Sequence, residues 1–307
     1  MAANSNLHKA KNAKNDEFYT QLTDVEKELM HYKDHFAGKV VFCNCDDPTW
    51  SAFWKYFHLN FDHLRLKKLI STHYDRTEPT YKMEYEGGDD ENIEAGVKTP
   101  LEGNGDFRNV ECIELLREAD IVVTNPPFSI AREDYIPQLF EYEKDFLIIG
   151  DLNWVTYKSI FPLLKDNKMW FGYNTVKEFV QPSGEIKKFG NKLWYTNLDI
   201  KKRHEKLILW KNYVPEDYPC FDEIPSVINV NKVSEIPCDY NDIMAVPITF
   251  LDKYNPEQFE IIDALNRYTL LDYWGVNEDV KKRHSHCCNV MGKSTYYRIA
   301  IRIRKDS

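Results

Sequence analysis

No stretch of the 307-residue sequence approaches the run of roughly 20 apolar residues that a membrane-spanning helix requires. The opening segment, MAANSNLHKAKNAKND, lacks the apolar core of a secretory leader. Internal repeats and low-complexity tracts are missing, which sets solenoid and fibrous classes aside. Positive charge is in deficit: the formal net charge is -9 at pH 7. That balance disfavours a nonspecific nucleic-acid coat but leaves room for a local basic groove. The 7 cysteines lack the spacing of a zinc site. Cys43-x-Cys45 has no second ligand pair, and His284, His286, Cys287 and Cys288 are too crowded in RHSHCC to close one tetrahedron. A reduced cytoplasmic protein with free thiols and no metal is expected.

What is present suits a soluble globular chain, with 43% hydrophobic and 29% charged residues. The length allows one large α/β domain with a smaller recognition region. Aromatic residues make up 14%, which core packing largely absorbs while leaving some rings able to stack on bases. Charge is uneven. Residues 78–106 are strongly acidic, whereas Lys281, Lys282, Arg283, Lys293, Arg298, Arg302, Arg304 and Lys305 make the last stretch basic.

Residues 1–15 read as a flexible basic arm. Thr23-Asp24-Val25-Glu26 has the pattern of a capping box, predicting a helix to about His35. KVVFCN (39–44) reads as a strand, and Pro48 as the first residue of the next helix. Trp50, Phe53, Trp54, Phe57 and Phe61 recur at helical spacing and mark a core face. KKLISTHY (67–74) is a second strand, and the acidic residues 79–105 suggest a hairpin or insertion. NVECIELLREA (109–119) is helical, DIVVTN (120–125) a buried strand, residues 130–142 a helix and DFLIIGDL (145–152) a strand. This alternation predicts a Rossmann-like α/β domain over residues 16–172 with a mostly parallel sheet. Residues 173–307, broken by prolines, read as a smaller, irregular recognition region with some β content, from which a strand can return to the main sheet. A hairpin is expected over 177–189, turning at Ser183-Gly184.

Thr124-Asn125-Pro126-Pro127-Phe128 lies where such a sheet binds ligands, beyond the carboxyl end of a strand. Its residue types suit methylation of an aromatic amine. The lone pair of adenine N6 is delocalised into the ring and is a poor nucleophile. The Asn125 side-chain oxygen and the Pro126 carbonyl can each accept an N6–H, concentrating the lone pair toward the methyl donor. Pro126 and Pro127 stiffen the backbone that carries these acceptors. Phe128 can stack on a base drawn out of the duplex. The bland alternative is a strand ending in a Pro-Pro turn under a core phenylalanine.

At this point the sequence resembles the EcoRI-type family of DNA adenine-N6 methyltransferases. HKAKNAKNDEFYTQ (8–21), VVFCNCDDP (40–48), FWKYFHLNFD (53–62), LKKLI (66–70) and TNPPFS (124–129) all read like that family, and the motif order is its γ arrangement. The resemblance implies S-adenosylmethionine as cofactor and duplex DNA as partner. It assigns Asp16, Phe18, Tyr19 and Thr20 to the first cofactor motif. Asn44, Asp46 and Asp47 are assigned to the cofactor's methionine ammonium, Asp75 to its ribose, and Asp106 with Phe107 to its adenine. Asn125, Pro126, Pro127 and Phe128 become the catalytic motif. GAATTC as target, base flipping and protection against a cognate restriction enzyme are implied too. The loop after the first strand departs from methyltransferases at large, since CNCDDP contains no Gly-x-Gly. RNA adenine or protein glutamine remain alternative substrates for the same tetrapeptide, and a DNA-binding relative without catalysis is the alternative from another class. For DNA contact the candidates are Lys187, Lys188, Asn191, Lys201, Lys202, Arg203, Lys281 and Lys282, with Asn174 and Gln181 as further base-reading candidates. No obligate protein partner is evident, and a monomer is expected.

Overall fold

The computed structural model describes residues 19–75, 78–181, 184–265, 274–275 and 288–304. The basic arm, Asp16, Phe18, Ser183, Lys281, Lys282, His284, His286 and Cys287 lie outside the described residues. The chain divides into two compact units, one of residues 1–154 and 169–198, the other of residues 155–168 and 199–307.

The first unit is built on a nine-stranded sheet. Its strands are β1 (Tyr19–Thr20), β2 (Val40–Cys43), β3 (Lys68–His73), β4 (Tyr81–Tyr85), β5 (Val97–Pro100), β6 (Ile121–Thr124), β7 (Asp145–Asp151), β8 (Trp170–Val180) and β9 (Ile186–Thr196). The spatial order is β1-β8-β9-β7-β6-β2-β3-β4-β5. Only the central strands β3, β2, β6 and β7 pair in parallel. Both flanks are antiparallel. The sheet is therefore mixed where the sequence suggested a mostly parallel one. The reason is connection length: β8 to β9 is too short for a crossover helix, so that chain must double back. β2 and β6 are buried at every position, which is why VVFC and IVVT show no polar alternation.

The helices of this unit are α1 (Leu22–Leu29), α2 (Lys33–Phe36), α3 (Ala52–Leu59), α4 (Phe61–Leu64), α5 (Val110–Glu118) and α6 (Ile136–Glu141). Two helix starts differ from expectation. α1 opens at Leu22 behind Gln21, with no side-chain cap, because β1 pairs with β8 and leaves one residue between strand and helix. Thr23 thus falls inside the first turn. α3 opens behind Ser51, whose Oγ accepts from the N–H groups of Phe53 at 3.1 Å and Trp54 at 3.3 Å, so Pro48 belongs to the preceding turn. Phe53, Trp54, Phe57 and Phe61 are buried as their spacing predicts. Trp50 instead is 64% exposed, and its ring stacks with Tyr19 at 6.5 Å.

One buried carboxylate fastens α1 to the hairpin. Glu28 accepts from Tyr32 Oη at 2.9 Å, Tyr173 N at 2.7 Å, Asn174 N at 2.7 Å and Asn174 Nδ2 at 2.9 Å. Burial raises its pKa, and these donors pull the other way. Asn174 is thereby bound within the fold rather than turned to a ligand.

The second unit holds α7 (Phe161–Lys165), β10 (Ile228–Asn229), β11 (Met244–Pro247), β12 (Phe259–Leu265), β13 (Asn289–Val290), β14 (Lys293–Ser294) and β15 (Arg298–Ile303). A four-stranded sheet runs β10-β11-β15-β12, and β13 and β14 form a separate hairpin. Phe221, Ile224, Val227, Ala245, Ile262 and Leu265 build one core beside it. Ile299 and Ile301 of β15 are buried as alternation suggested. Its arginines are engaged locally: Arg298 with Asn229 at 3.1 Å, Arg302 with Glu260 at 2.6 Å, and Arg304 with the Pro256 carbonyl at 2.8 Å. Among the described residues no helix is long and apolar enough to cross a membrane.

Glu28→Gln sets an amide NH2 among the N–H donors of Tyr173 and Asn174, which cannot accept from it. It should lower unfolding free energy in urea by about 2 kcal/mol. An unchanged midpoint would show that the four contacts do not hold α1 on the sheet.

Candidate active site

β2 lies between β3 and β6, so the chain's course through the sheet reverses there, and the crevice opens at the carboxyl ends of β2 and β6. Asn44-Cys45-Asp46-Asp47 leaves one strand and Asn125-Pro126-Pro127-Phe128 the other. Cys45 takes a left-handed conformation, φ 65°, at the tight turn after β2, a conformation that glycine adopts most readily.

The two strand ends are joined directly. Thr124 Oγ1 lies in hydrogen-bond contact with the Asn44 carbonyl and with Asp46 Oδ2. Asp46 also accepts from Ser51 Oγ at 3.3 Å and from the backbone N–H of Asn125. Ser71 Oγ, from β3, donates to the Asp46 carbonyl. Burial pushes the Asp46 carboxyl from its ordinary 3.8 up to about 7, against the pull of the Thr124, Asn125 and Ser51 donors. Asp47 turns to the other side. It accepts from Thr49 N at 2.9 Å, Thr49 Oγ1 at 2.7 Å and Tyr81 Oη at 3.0 Å, and it pairs with His73 Nδ1 at 3.0 Å.

Unsatisfied polar atoms cluster around this crevice. Asn44 Nδ2, Thr20 Oγ1 and Tyr135 Oη are buried with no hydrogen-bond partner among the described residues. Such groups cost about 1–3 kcal/mol each unless something accepts from or donates to them.

Phe128 stands in an aromatic box. Its ring lies edge-to-face with Trp154 at 6.3 Å and with Phe179 at 6.2 Å. Trp154 stacks on Tyr195 at 5.5 Å. Gly150 makes this possible, since a Cβ there would collide with both the Trp154 and Tyr195 rings. Phe179 is the β8 residue opposite Thr20, which brings the amino-terminal motif beside the box.

A family model described as the adenine-specific methyltransferase EcoRI matches residues 6–304. The chain belongs to this family. It is 43% identical to the Type II methyltransferase M.EcoRI of Escherichia coli, with 99% of this chain and 98% of that protein covered. It is 39% identical to the Type II methyltransferase M.MgeORF184P of Mycoplasma genitalium, covering 96% and 98%. It is 37% identical to the Type II methyltransferase M.MpnI of Mycoplasma pneumoniae, covering 98% of each. No solved structure matches the chain. Membership makes it an adenine-specific methyltransferase.

Asn44, Asp46 and Asn125 meet where β2 and β6 end, Thr20 lies across from Phe179, against which Phe128 packs, and Tyr19 stacks on Trp50. Asp75 and Asp106 lie on neighbouring loops beyond β3, joined through Asn104: its carbonyl accepts from Asp75 N at 3.2 Å and its Oδ1 from Asp106 N at 3.2 Å. Asp106 is held by Arg108 through bonds of 2.8 and 2.7 Å. Phe107 is buried edge-to-face against Tyr135 at 5.0 Å. Among the DNA candidates, Lys187 and Lys188 are exposed on β9, and Lys188 pairs with Glu178 at 3.0 Å. Asn191 gives its amide to Asp151 at 2.8 Å. Lys201, Lys202 and Arg203 belong to the second unit, where Lys202 pairs with Asp252 at 2.5 Å. Among the described residues no cluster of three or more His, Cys, Asp or Glu could hold a metal ion.

Sequence reasoning missed Ser51, Asp151 and Lys192. Lys192 had a readable signal, being a lone cation in an otherwise apolar strand end, KLWYT.

Asp46 holds its proton more tightly in the folded chain than in the unfolded one. Its stabilising contribution is therefore complete below about 3.8 and lost as pH rises through about 7. The stability of the wild type relative to Asp46→Asn should fall between about pH 4 and about pH 7 and level off above. Urea titrations across that range check this, and a flat difference would contradict it.

Proposed function

We propose that this methyltransferase modifies adenine N6 within a specific duplex DNA site, with S-adenosylmethionine as donor. The base is flipped out of the helix for the reaction, and the role is the protective half of a restriction-modification pair. The family likeness makes GAATTC the first target to test. The observation that carries the reading is the union of two strand ends. The loop after β2, with its unsatisfied Asn44 amide, is bonded through Asp46 to the strand that delivers Asn125, and the unsatisfied Thr20 hydroxyl comes from β1.

The fit to the cofactor rests on those buried polar atoms. Asn44 Nδ2 and Thr20 Oγ1 would hold the methionine portion, Asp75 the ribose hydroxyls, and Phe107 with Asp106 the adenine ring. When bound, the cofactor supplies a methyl group already activated by its sulfonium. The chain's own task is then placement. Asn125 Oδ1 and the Pro126 carbonyl accept the two N6–H bonds and turn the amine's lone pair toward the donor. Pro126 and Pro127 keep those acceptors from turning away. Phe128 offers its ring to the flipped base, and the Trp154–Phe179 box excludes water around it. Asp46 fixes Asn125 through its backbone N–H rather than touching the base. Exposed Lys187 and Lys188 suit phosphate contacts, as do Lys201, Lys202 and Arg203 of the second unit. Asp46 and Asp47 already spend their oxygens on neighbours, so the methionine ammonium has less to gain from them than the resemblance implies.

Labelled S-adenosylmethionine incubated with duplexes containing an intact or a scrambled GAATTC tests this directly. N6-methyladenine in the intact duplex alone is expected. Label in both would retain the chemistry and remove the sequence assignment, whereas label in RNA or protein instead would replace the substrate class. Asn125→Ala should cut turnover about a hundred-fold or more while cofactor affinity measured by calorimetry is kept. Near-normal turnover would remove Asn125 from its role.

A further inference from the structure

Lys192 is a cation where the fold has no packing reason for one. Its side chain is 7% exposed, and its β9 neighbours Leu193, Trp194 and Tyr195 are buried. Withdrawing such a charge from water costs several kcal/mol, and apolar residues of similar volume commonly serve a sheet as well or better. The charge is nevertheless held with care. Lys192 lies directly across from Asp151 in the β7–β9 register, and Nζ meets Asp151 Oδ2 at 2.5 Å. The same carboxylate accepts from Asn191 Nδ2 at 2.8 Å and Asn153 N at 2.8 Å, which fixes it in place.

The pair sits at the carboxyl end of β7. β7 runs parallel to β6 and emerges at the same edge of the sheet as Asn125. There the ammonium lies over two rings, 4.5 Å from the centre of Phe128 and 5.0 Å from that of Phe189. Phe189 also carries the ammonium of exposed Lys187 at 5.5 Å. Cation–π attraction is strongest when the cation is desolvated, as here. An ammonium has three donors, and Asp151 is the hydrogen-bonding partner of this one.

We propose that Lys192, anchored by Asp151, is a positioning residue of the target-base pocket: its ammonium holds the Phe128 ring at the tilt that receives the flipped adenine. The assignment rests on the reading of Phe128 as the stacking ring. The pair is close to neutral as a whole, so it steadies the ring without adding net repulsion toward a cationic methyl donor. Lys187, Phe189, Lys192 and Phe128 then form one continuous run of alternating cations and rings, from the exposed surface of β9 to the base slot.

Three variants test it: Lys192→Met, Lys192→Arg and the charge-balanced double variant Lys192→Met with Asp151→Asn. Each is measured for single-turnover methyl transfer, for cofactor affinity, and for emission of 2-aminopurine placed at the target adenine. Lys192→Met and the double variant should transfer about ten-fold more slowly, the scale of a buried cation–π contact. Cofactor affinity should stay within about two-fold, and emission should move toward that of a Phe128→Ala complex. Lys192→Arg, which keeps a cation over the ring, should recover part of the rate. Wild-type rate and emission in the double variant would overturn the proposal and leave the pair as an ordinary cross-strand bridge. Loss of cofactor affinity in step with rate would overturn it too, by showing general collapse of the crevice. Failure of the wild-type chain to methylate any adenine would instead overturn the functional reading on which the assignment rests.

Discussion

Thr124 and Asp46 hold the crevice together. A threonine at the last position of one parallel strand meets the carbonyl and the carboxylate of the loop leaving its neighbour. The same carboxylate takes the N–H of the next residue, Asn125. The loop after β2 and the segment after β6 are thereby one unit, so their separation is set by β-sheet geometry rather than by two independent loops. Preorganisation of this kind matters most for a reaction whose chemistry is mainly alignment. The cost is a carboxyl buried where its charge is disfavoured, and its pKa records that cost.

Around this clamp the molecule fixes its remaining parts by similar means. Glu28 gathers four donors and thereby ties α1 to β8, which carries Phe179 to the aromatic box. Asp151 gathers Lys192, Asn191 and the backbone of Asn153 at the far side of the same box. Each buried or half-buried acid is surrounded by donors, as an interior carboxylate must be. Each also joins elements distant in sequence. Antiparallel flanks β8–β9 and β4–β5 widen the parallel centre, and the first of them supplies the walls of the Phe128 pocket.

The family likeness and the geometry bear on different levels. Membership over residues 6–304 gives an adenine-specific methyltransferase. The structure adds which atoms are committed and which are left open. Asp47 and Asn191 are spent on internal bonds, while the Asn44 amide and the Thr20 hydroxyl are buried with no partner among the described residues. That contrast separates polar groups committed to the fold from buried ones that no described residue satisfies.

By itself the sequence determined the parallel centre of the sheet. VVFC, IVVT and FLIIG are apolar runs of strand length, and their burial follows from composition alone, whereas the buried Ser71 and Thr72 of LISTH were readable only as part of a strand. It also marked the segment proposed to be reactive, because Asn-Pro-Pro-Phe after a buried strand combines acceptors, rigidity and a ring in one contiguous stretch. The hairpin over residues 177–189 and the core face of α3 were legible for the same reason, being local patterns. Three things were decided only by tertiary structure. The start of α1 was set by the pairing of β1 with β8, a contact between residues some 160 positions apart. The outward placement of Trp50 followed from its stacking on Tyr19. The roles of Asp46, Asp151 and Lys192 depended on partners contributed by other strands. A side chain's chemistry is carried by the sequence, but its protonation, its free lone pairs and its neighbours are properties of the space around it, and that space exists only once distant strands have paired.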